Sequence, residues 1–267
     1  MGRLMSMSND IFTLYQGELP LIVSVPHDGT RVPADIALRL TESAKRVPDT
    51  DWHVARLYDF ARAMGASMIV PTHSRYVIDL NRGEDDVSLY PGQNTTGLCP
   101  LVQFSGEPVY QPGREPDDVE VRARIATYWR PYHDALRAEI ERLRQQHGRV
   151  VVWEGHSIKG EELPFLFEGK LPDLNLGTAN GASCLPATQS RLQRVLAGQS
   201  DYGFVTNGRF KGGHITRHYG RPDEGVEAIQ MEISQRCYMD EDSFAWIEDR
   251  AAGVQPLLHR LLEASLA

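Results

Sequence analysis

The chain has 267 residues, 41% of them hydrophobic and 24% charged, so it can bury a full core and is long enough for one large domain or two small ones. Its formal net charge of -8 disfavours a nucleic-acid-binding surface, and it contains no apolar run long enough to span a bilayer. Its three cysteines lie far apart without a CxxC pair, which argues against a disulfide framework or a thiolate zinc site and favours a reducing, cytoplasmic compartment. We expect one domain over residues 1–267, with no nucleic-acid or membrane partner.

Predicted strands and helices alternate along the chain. Short β-rich runs bounded by turn residues predict strands, and apolar residues spaced by three and four predict helices. The strands are predicted at residues 19–25, 66–71, 75–80, 149–157, 174–178, 202–206 and 226–233, and the helices at 51–65, 117–146, 186–197 and 242–262. This alternation predicts an α/β fold in a single domain, with a mixed, mostly parallel sheet and helices on both faces.

Local signals mark the ends and breaks of two of these helices. Asp49 or Asp51 can cap the first helix, and Gly65 can end it. In the long amphipathic helix, Pro131 lacks a backbone N–H and therefore predicts a kink.

Polar side chains at the ends of the predicted strands are the candidates for chemistry, because active sites of open α/β sheets gather at strand ends. These candidates, with one aspartate that opens the following helix, are His27, Asp51, Asn81, Arg82, Glu154, His156 and Glu232. Two histidines and a carboxylate are a common catalytic zinc set, which leaves one position for a water whose pKa the metal lowers to about 7. A separate carboxylate can then take the proton of that water.

Each candidate also has a structural interpretation. A histidine after a strand is more often a turn residue than a ligand, although the equivalent setting of His156 favours the metal interpretation for His27. Asp51 is alternatively a helix cap with no role in metal binding. Glu154 shares a strand face with His156 and is either a second ligand or base, or a partner that orients a ligand. Glu232 is either a salt-bridged core carboxylate or a functional one, since a charge inside an apolar strand is costly.

Seven motifs, in order from about residue 12 to about residue 240, carry a family resemblance. They are "SVPHDGTRVP", "DTDWHVARLYDF", "THSRYVIDLNR", "SLYPGQNTTGLCP", "EGHSI", "FKGGHITRHYG" and "QMEISQRCYM". Together they resemble the N-formylglutamate amidohydrolases. The resemblance implies a fold related to the zinc carboxypeptidases and aspartoacylases, described as phosphorylase/hydrolase-like. It also implies zinc-dependent cleavage of N-formyl-L-glutamate to formate and L-glutamate in histidine degradation.

The resemblance implies a metal site as well. His27 matches the first histidine of the related enzymes, and His156 matches the later one. Carboxypeptidase-type relatives place a glutamate three residues after the first histidine, where this chain has Thr30. The third ligand must therefore come from elsewhere, and Asp51 is our prediction, with Asp49 as the alternative. Zinc is the expected ion, and another divalent ion is possible.

Substrate binding is predicted on the same basis. In the carboxypeptidase-like enzymes an Asn-Arg pair grips the substrate carboxylate, and Asn81-Arg82 matches it. N-formylglutamate carries two carboxylates, so one arginine is not enough to bind it. Arg217 is predicted to bind the second carboxylate or to stabilise the oxyanion, with Lys211 and His218 as weaker candidates. The glycine-rich segment that carries them is alternatively only a mobile lid.

The predicted mechanism assigns the base to Glu232, which takes the proton of the water and later gives it to the leaving amine. Two rival functions remain. One is a related zinc amidase for another N-acyl amino acid or peptide, and the other is a non-catalytic module that binds a dicarboxylate. The sequence does not predict an oligomeric state.

Overall fold

One sheet organises the molecule. The computed structural model describes residues 5–89, 92, 94–161, 163 and 165–267, so three residues of the "SLYPGQNTTGLCP" motif lie outside the described residues. Within those ranges the sheet has eight strands in the order β1-β2-β4-β3-β5-β8-β6-β7. The strands are β1 Met5–Ser8, β2 Phe12–Gln16, β3 Leu21–Ser24, β4 Ser67–Pro71, β5 Val150–Ile158, β6 Leu174–Gly177, β7 Phe204–Thr206 and β8 Val226–Ser234.

The centre of the sheet is parallel and its flanks are mixed. β4, β3, β5 and β8 are neighbours that run in one direction, whereas β2 and β6 pair antiparallel with β4 and β8. Every residue of β3, β5 and β8 is buried, as expected for parallel strands that are covered on both faces. The carboxyl ends of these three strands therefore meet at one edge of the sheet.

Helices cover both faces. Alternate residues of β5 belong to different clusters, since Val151 and Trp153 pack with α8 whereas Val150 and Val152 pack with α5. The helices are α1 Ala34–Ala37, α2 Val54–Leu57, α3 Phe60–Met64, α4 Asp118–Arg124, α5 Arg130–His147, α6 Pro186–Ala197, α7 His214–Tyr219 and α8 Glu248–Leu266. The predicted α/β fold is therefore confirmed. None of the helices in the described ranges combines the length and apolarity needed to cross a membrane.

The long predicted helix is nearly continuous. It starts after Asp117, whose carboxylate caps it by accepting a hydrogen bond of 2.8 Å from Glu120 N. A π-helical turn, Ile125–Trp129, separates α4 from α5. Pro131 lies in the first turn of α5. The irregularity thus precedes the proline, at a wider turn that accommodates its missing donor.

Two predicted helices and one predicted strand differ from the structure. The helix at 51–65 is two short helices, and it does not start at Asp51, because His53 has a left-handed backbone with φ of 64°. Its cap comes from elsewhere, since Asp28 Oδ1 accepts a hydrogen bond of 2.9 Å from Ala55 N. The closing helix begins at Glu248 rather than at residue 242.

The predicted strand at 75–80 was wrong. Its apolar side chains are buried, but its backbone forms turns instead of a ladder. Val77 N donates to Ser74 O at 2.9 Å, and Val77 O accepts from the guanidinium of Arg124 at 2.9 Å. Side-chain and turn hydrogen bonds therefore satisfy this buried backbone without a neighbouring strand.

Candidate metal centre and active site

Three side chains from separate segments form a buried cluster at the carboxyl ends of β3 and β5. His27 lies in the loop after β3, Asp51 in the loop before α2, and His156 in β5. One ligand atom from each residue lies within 4.8 Å of the other two. The Nδ1 atoms of His156 and His27 lie 2.9 Å and 3.7 Å from Asp51 Oδ2. The structure thus brings together the three predicted metal ligands.

Backbone hydrogen bonds hold Asp51 in this place. Asp51 N donates to His27 O at 3.1 Å, and Asp51 Oδ2 accepts from Ser157 N at 3.1 Å. The parallel pairing of β3 with β5 aligns Ser24 with Glu154, and because β5 continues to Ile158, the loop after β3 brings the His27 ring to 4.9 Å from that of His156. The loop aspartate therefore bridges two strand ends.

The far ring nitrogen of each histidine contacts a buried carboxylate. His27 Nε2 lies 2.6 Å from Asp79 Oδ1, and His156 Nε2 lies 2.6 Å from Glu154 Oε1. A carboxylate on one ring nitrogen places the proton there and leaves the other nitrogen as the donor atom for a metal. Both imidazoles therefore present Nδ1 to Asp51.

Glu154 is surrounded by hydrogen-bond donors. Its Oε2 accepts from Thr216 N at 2.9 Å and from Thr216 Oγ1, and its Oε1 accepts from Asn81 Nδ2. The carboxylate is completely buried. Of the interpretations open for Glu154, these contacts favour a partner that orients His156 over a catalytic base.

Electrostatics in the cluster favour charged side chains. Burial alone would raise the pKa of Asp51, but His27 and His156 hold it below its ordinary value. Burial would lower the pKa of His156, but Glu154 and Asp51 raise it well above that of a free imidazole. A proton and a metal ion would therefore compete for Nδ1 of His156, as is usual for histidine ligands.

The alternative ligand Asp49 lies outside the cluster. Its Oδ2 accepts hydrogen bonds from Tyr76 Oη at 2.7 Å and from Phe104 N at 2.9 Å. Burial raises its pKa to about 6 despite these bonds. The structure thus favours Asp51 over Asp49.

Glu232 lies across from His156 in the register of β5 and β8. It lines a cavity together with Gln230, whereas Met231 and Ile233 point into the core on the other face. Burial raises the pKa of Glu232 to about 8, with Asp51 adding to the shift and His156 opposing it. No hydrogen bond to its carboxylate is found among the described residues, so this group is available to a bound molecule.

The same cavity reaches the histidine cluster and several cationic side chains. Besides the three cluster residues, its polar lining includes Arg75, Asn81, Arg82, Arg209, Gln230 and Glu232. A carboxylate, a His/Asp/His cluster that could hold a metal ion and guanidinium groups thus face one space, an arrangement suited to hydrolysis of an anionic substrate.

Comparison with known proteins identifies the family. The family profile described as N-formylglutamate amidohydrolase matches residues 19–239, a span that contains the whole cluster and Glu232. The chain belongs to the N-formylglutamate amidohydrolase family. It is 50% identical over 258 residues to an N-formylglutamate deformylase of Pseudomonas putida, covering 96% of each chain. It is 46% identical over 260 residues to an N-formylglutamate deformylase of Pseudomonas aeruginosa, covering 97% of each.

Solved structures agree with this assignment. The crystal structure of an N-formylglutamate amidohydrolase from Ralstonia eutropha superposes with a TM-score of 0.82 at 29% identity, covering 97% of this chain and 96% of the other. A gene product of Agrobacterium tumefaciens has a TM-score of 0.72 at 20% identity, covering 96% and 94%, and shows the shared fold only.

In this amidohydrolase the predicted Asn81-Arg82 pair lies at the cavity, but the two side chains make different contacts. Asn81 is tied into the site, since its Oδ1 accepts from Ile215 N at 3.0 Å and its Nδ2 donates to Glu154. Arg82 lines the cavity and is held through Nε, which donates to Thr96 O at 2.8 Å. Arg82 is therefore the stronger candidate for direct contact with a substrate carboxylate.

The structure does not place Arg217 where it was predicted. Arg217 is exposed on α7, where its Nε donates to Gly212 O at 2.9 Å, and it does not line the cavity. The helical turn of α7 directs residue 216 inward, where Thr216 binds Glu154, so residue 217 points outward. His218, a weaker candidate, is exposed as well.

The glycine-rich segment before α7 is also more than a mobile lid. Gly213 N donates to Gln230 Oε1 at 2.8 Å, and a Cβ on Gly213 would lie 2.2 Å from Asn81 Nδ2. Only glycine allows this close approach of the backbone to the site.

Sequence reasoning missed three residues of this amidohydrolase site. Arg75 Nη2 donates to Asp79 Oδ2 at 2.6 Å, and Arg75 Nη1 donates to His27 Nδ1 at 3.3 Å. Arg75 and Asp79 both lie in the apolar run at 75–80. Because burying a charge is costly, their presence there could have indicated functional residues, as it did for Glu232. Arg209 lines the cavity from a loop, and no pattern in the sequence separates it from Arg217.

Proposed function

We propose that the protein hydrolyses N-formyl-L-glutamate to formate and L-glutamate and requires a divalent metal ion, with zinc as the expected ion. The observation that carries the proposal is the facing pair of His156 and Glu232 on β5 and β8, in a cavity that also contains His27, Asp51 and guanidinium groups. Support for the substrate comes from relatives at 46% and 50% identity that are named N-formylglutamate deformylases.

The residues present fit a metal ion. Two imidazole Nδ1 atoms and a carboxylate converge in a buried site, and both far ring nitrogens are held by carboxylates. His27, Asp51 and His156 would hold the ion. When bound, such an ion supplies Lewis-acid polarisation of a carbonyl and lowers the pKa of water to about 7.

Glu232 performs the proton transfers in this proposal. Its carboxylate takes a proton from the attacking water and then gives it to the nitrogen of the leaving glutamate. The C–N bond of the formamide breaks as that nitrogen is protonated, and formate is released. A positive charge at the neighbouring cluster would favour the ionised form of Glu232, which is the form that accepts a proton.

Arg75 is placed to stabilise the oxyanion that forms on the formyl group. Its Nη1 lies 3.3 Å from His27 Nδ1 and 3.9 Å from Asp51 Oδ1, and its guanidinium lines the cavity. Asp79 and the ring of Phe104, with its centroid 4.7 Å from the guanidinium carbon, hold it in this place. A preorganised donor of this kind contributes about 3–4 kcal/mol to barrier reduction.

Arg82 binds a substrate carboxylate in this proposal, and its replacement tests that role. Arg82→Lys is expected to weaken binding of N-formylglutamate by about 1–3 kcal/mol, because lysine keeps the charge but loses the planar fork. KM and metal content are the measurements, and the metal content should stay unchanged. Unaltered substrate affinity would make Arg82 a structural residue.

The function itself is tested by formate release together with metal analysis. The purified, metal-loaded protein is expected to release formate from N-formyl-L-glutamate and to lose this activity after chelation. Activity confined to N-acetyl- or N-succinyl-glutamate would identify a different amidase of this fold. Binding of a dicarboxylate without any turnover would identify a non-catalytic module.

We further infer that the reaction belongs to histidine degradation in the cytoplasm. The family resemblance is the basis for the pathway. The three cysteines, Cys99, Cys184 and Cys237, are buried and unpaired, which supports a reducing compartment.

A further inference from the structure

A third cavity arginine, after Arg75 and Arg82, comes from the segment that follows β7. Arg209 lines the cavity next to Phe210. Its Nε donates to Leu166 O at 3.0 Å and its Nη2 donates to Asn94 O at 3.1 Å. These carbonyl contacts fix the direction of a planar guanidinium in the cavity wall, as needed for recognition of a planar anion.

The same loop that holds Arg209 also holds Arg82. Arg209 binds Asn94 O, and Arg82 Nε donates to Thr96 O at 2.8 Å. Two residues of chain span at most about 7 Å, and the two carboxyl carbons of glutamate, joined by bonds of about 1.5 Å, lie about 5 Å apart. The two carbonyl anchors of these arginines therefore lie close together, on the scale of one glutamate skeleton.

Charge is distributed unevenly along the cavity. Among the described lining residues, the acidic side chains are Asp51 and Glu232, and both belong to the histidine end. The lining around Arg209 contributes Asn94, Thr95 and Phe210 and no carboxylate from the described residues. A carboxylate bound at Arg209 would thus meet no repelling carboxylate among the described lining residues.

We propose that Arg209 forms the subsite for the side-chain carboxylate of the substrate, so that it selects acidic N-formyl amino acids over neutral ones. This inference rests on the proposed function and takes the place of the role predicted for Arg217. Arg82 then receives the α-carboxylate. The pairing explains why the loop at 94–96 contacts both guanidinium groups.

The test compares two substrates that differ only in side-chain charge, N-formyl-L-glutamate and N-formyl-L-glutamine. Arg209→Gln is expected to lower kcat/KM for N-formylglutamate about 10- to 100-fold, mainly through KM, and to leave N-formylglutamine nearly unchanged. The kcat/KM of Arg209→Lys for N-formylglutamate should lie between those of the parent and of Arg209→Gln. A purely structural role for Arg209 would instead lower both values together, and that result would overturn the inference.

Two arginines serve as comparisons. Arg221→Gln removes an exposed guanidinium that lies 3.8 Å from Glu224. It should leave kcat/KM for both substrates unchanged. If Arg217→Gln shifted the preference and Arg209→Gln did not, the subsite would lie at Arg217 and the inference would be wrong. Turnover of N-formylglutamate by the parent separates this failure from that of the proposed function, because an inactive parent overturns both.

Discussion

Replacing His27 or His156 by alanine is expected to lower bound zinc well below one ion per chain and to abolish formate release. Each substitution removes one of the three proposed protein donors, and a two-donor site cannot compete with water for a divalent ion. The fold should persist, because Arg75 remains paired with Asp79 without His27, and Thr216 and Asn81 still bind Glu154 without His156. Elemental analysis, the formate assay and circular dichroism measure these effects.

The third ligand is tested with a matched pair of aspartates. Asp51→Asn is expected to reduce zinc content more mildly, and Asp49→Asn should retain zinc, because Asp49 binds Tyr76 and Phe104 instead. His259→Ala, at a partly exposed position of α8, is the control for loss of a histidine. Full zinc occupancy in both His27→Ala and His156→Ala would contradict the proposed metal centre.

Glu232→Gln is expected to reduce kcat by about 10²–10⁴, the usual contribution of general acid–base catalysis. The amide keeps the size of the side chain but cannot take up a proton. Zinc content and KM should change little, because Glu232 is not one of the three clustered ligands. Steady-state kinetics together with metal analysis of the same preparation check both expectations.

Two further glutamates sharpen this test. Glu263→Gln, an exposed residue of α8, should have no effect. Glu154→Gln should instead lower metal affinity, because an amide at this position would face the donors of Thr216, Asn81 and His156 with only one accepting oxygen. A Glu232→Gln enzyme with near-normal kcat would exclude Glu232 as the base, and Glu154 would be the next carboxylate to consider.

Much of the site could be predicted because it depends on strand ends. The buried runs that form β3, β5 and β8 are distinctive in sequence, and parallel strands bring His27, His156 and Glu232 to one edge. The sequence left Asp49 as the alternative to Asp51, because the hydrogen bond from Ser157 N that holds Asp51 in the cluster has no signal in the sequence.

The rest depends on backbone paths that hydrophobic periodicity does not determine. The run at 75–80 has the composition of a strand, but it satisfies its backbone through Arg124 and turns. The antiparallel pair of β1, at the edge of the sheet, and β2, next to it, was missed because strands of four and five residues carry little pattern. Arg209 was missed because glycine-rich loops allow many paths, and only the observed one directs this arginine to the cavity.

The position of β8 in the sheet has a consequence for the order in which the enzyme assembles. β8 is the last strand in the chain, yet it lies between β5 and β6, so both neighbours have an open edge until it inserts. His27, Asp51 and His156 all precede it, whereas Glu232 arrives with it. We therefore expect nascent or truncated chains that end before Val226 to contain the three proposed metal ligands but not the proposed catalytic base. Such chains would also expose two apolar strand edges, which makes them the species most prone to aggregate.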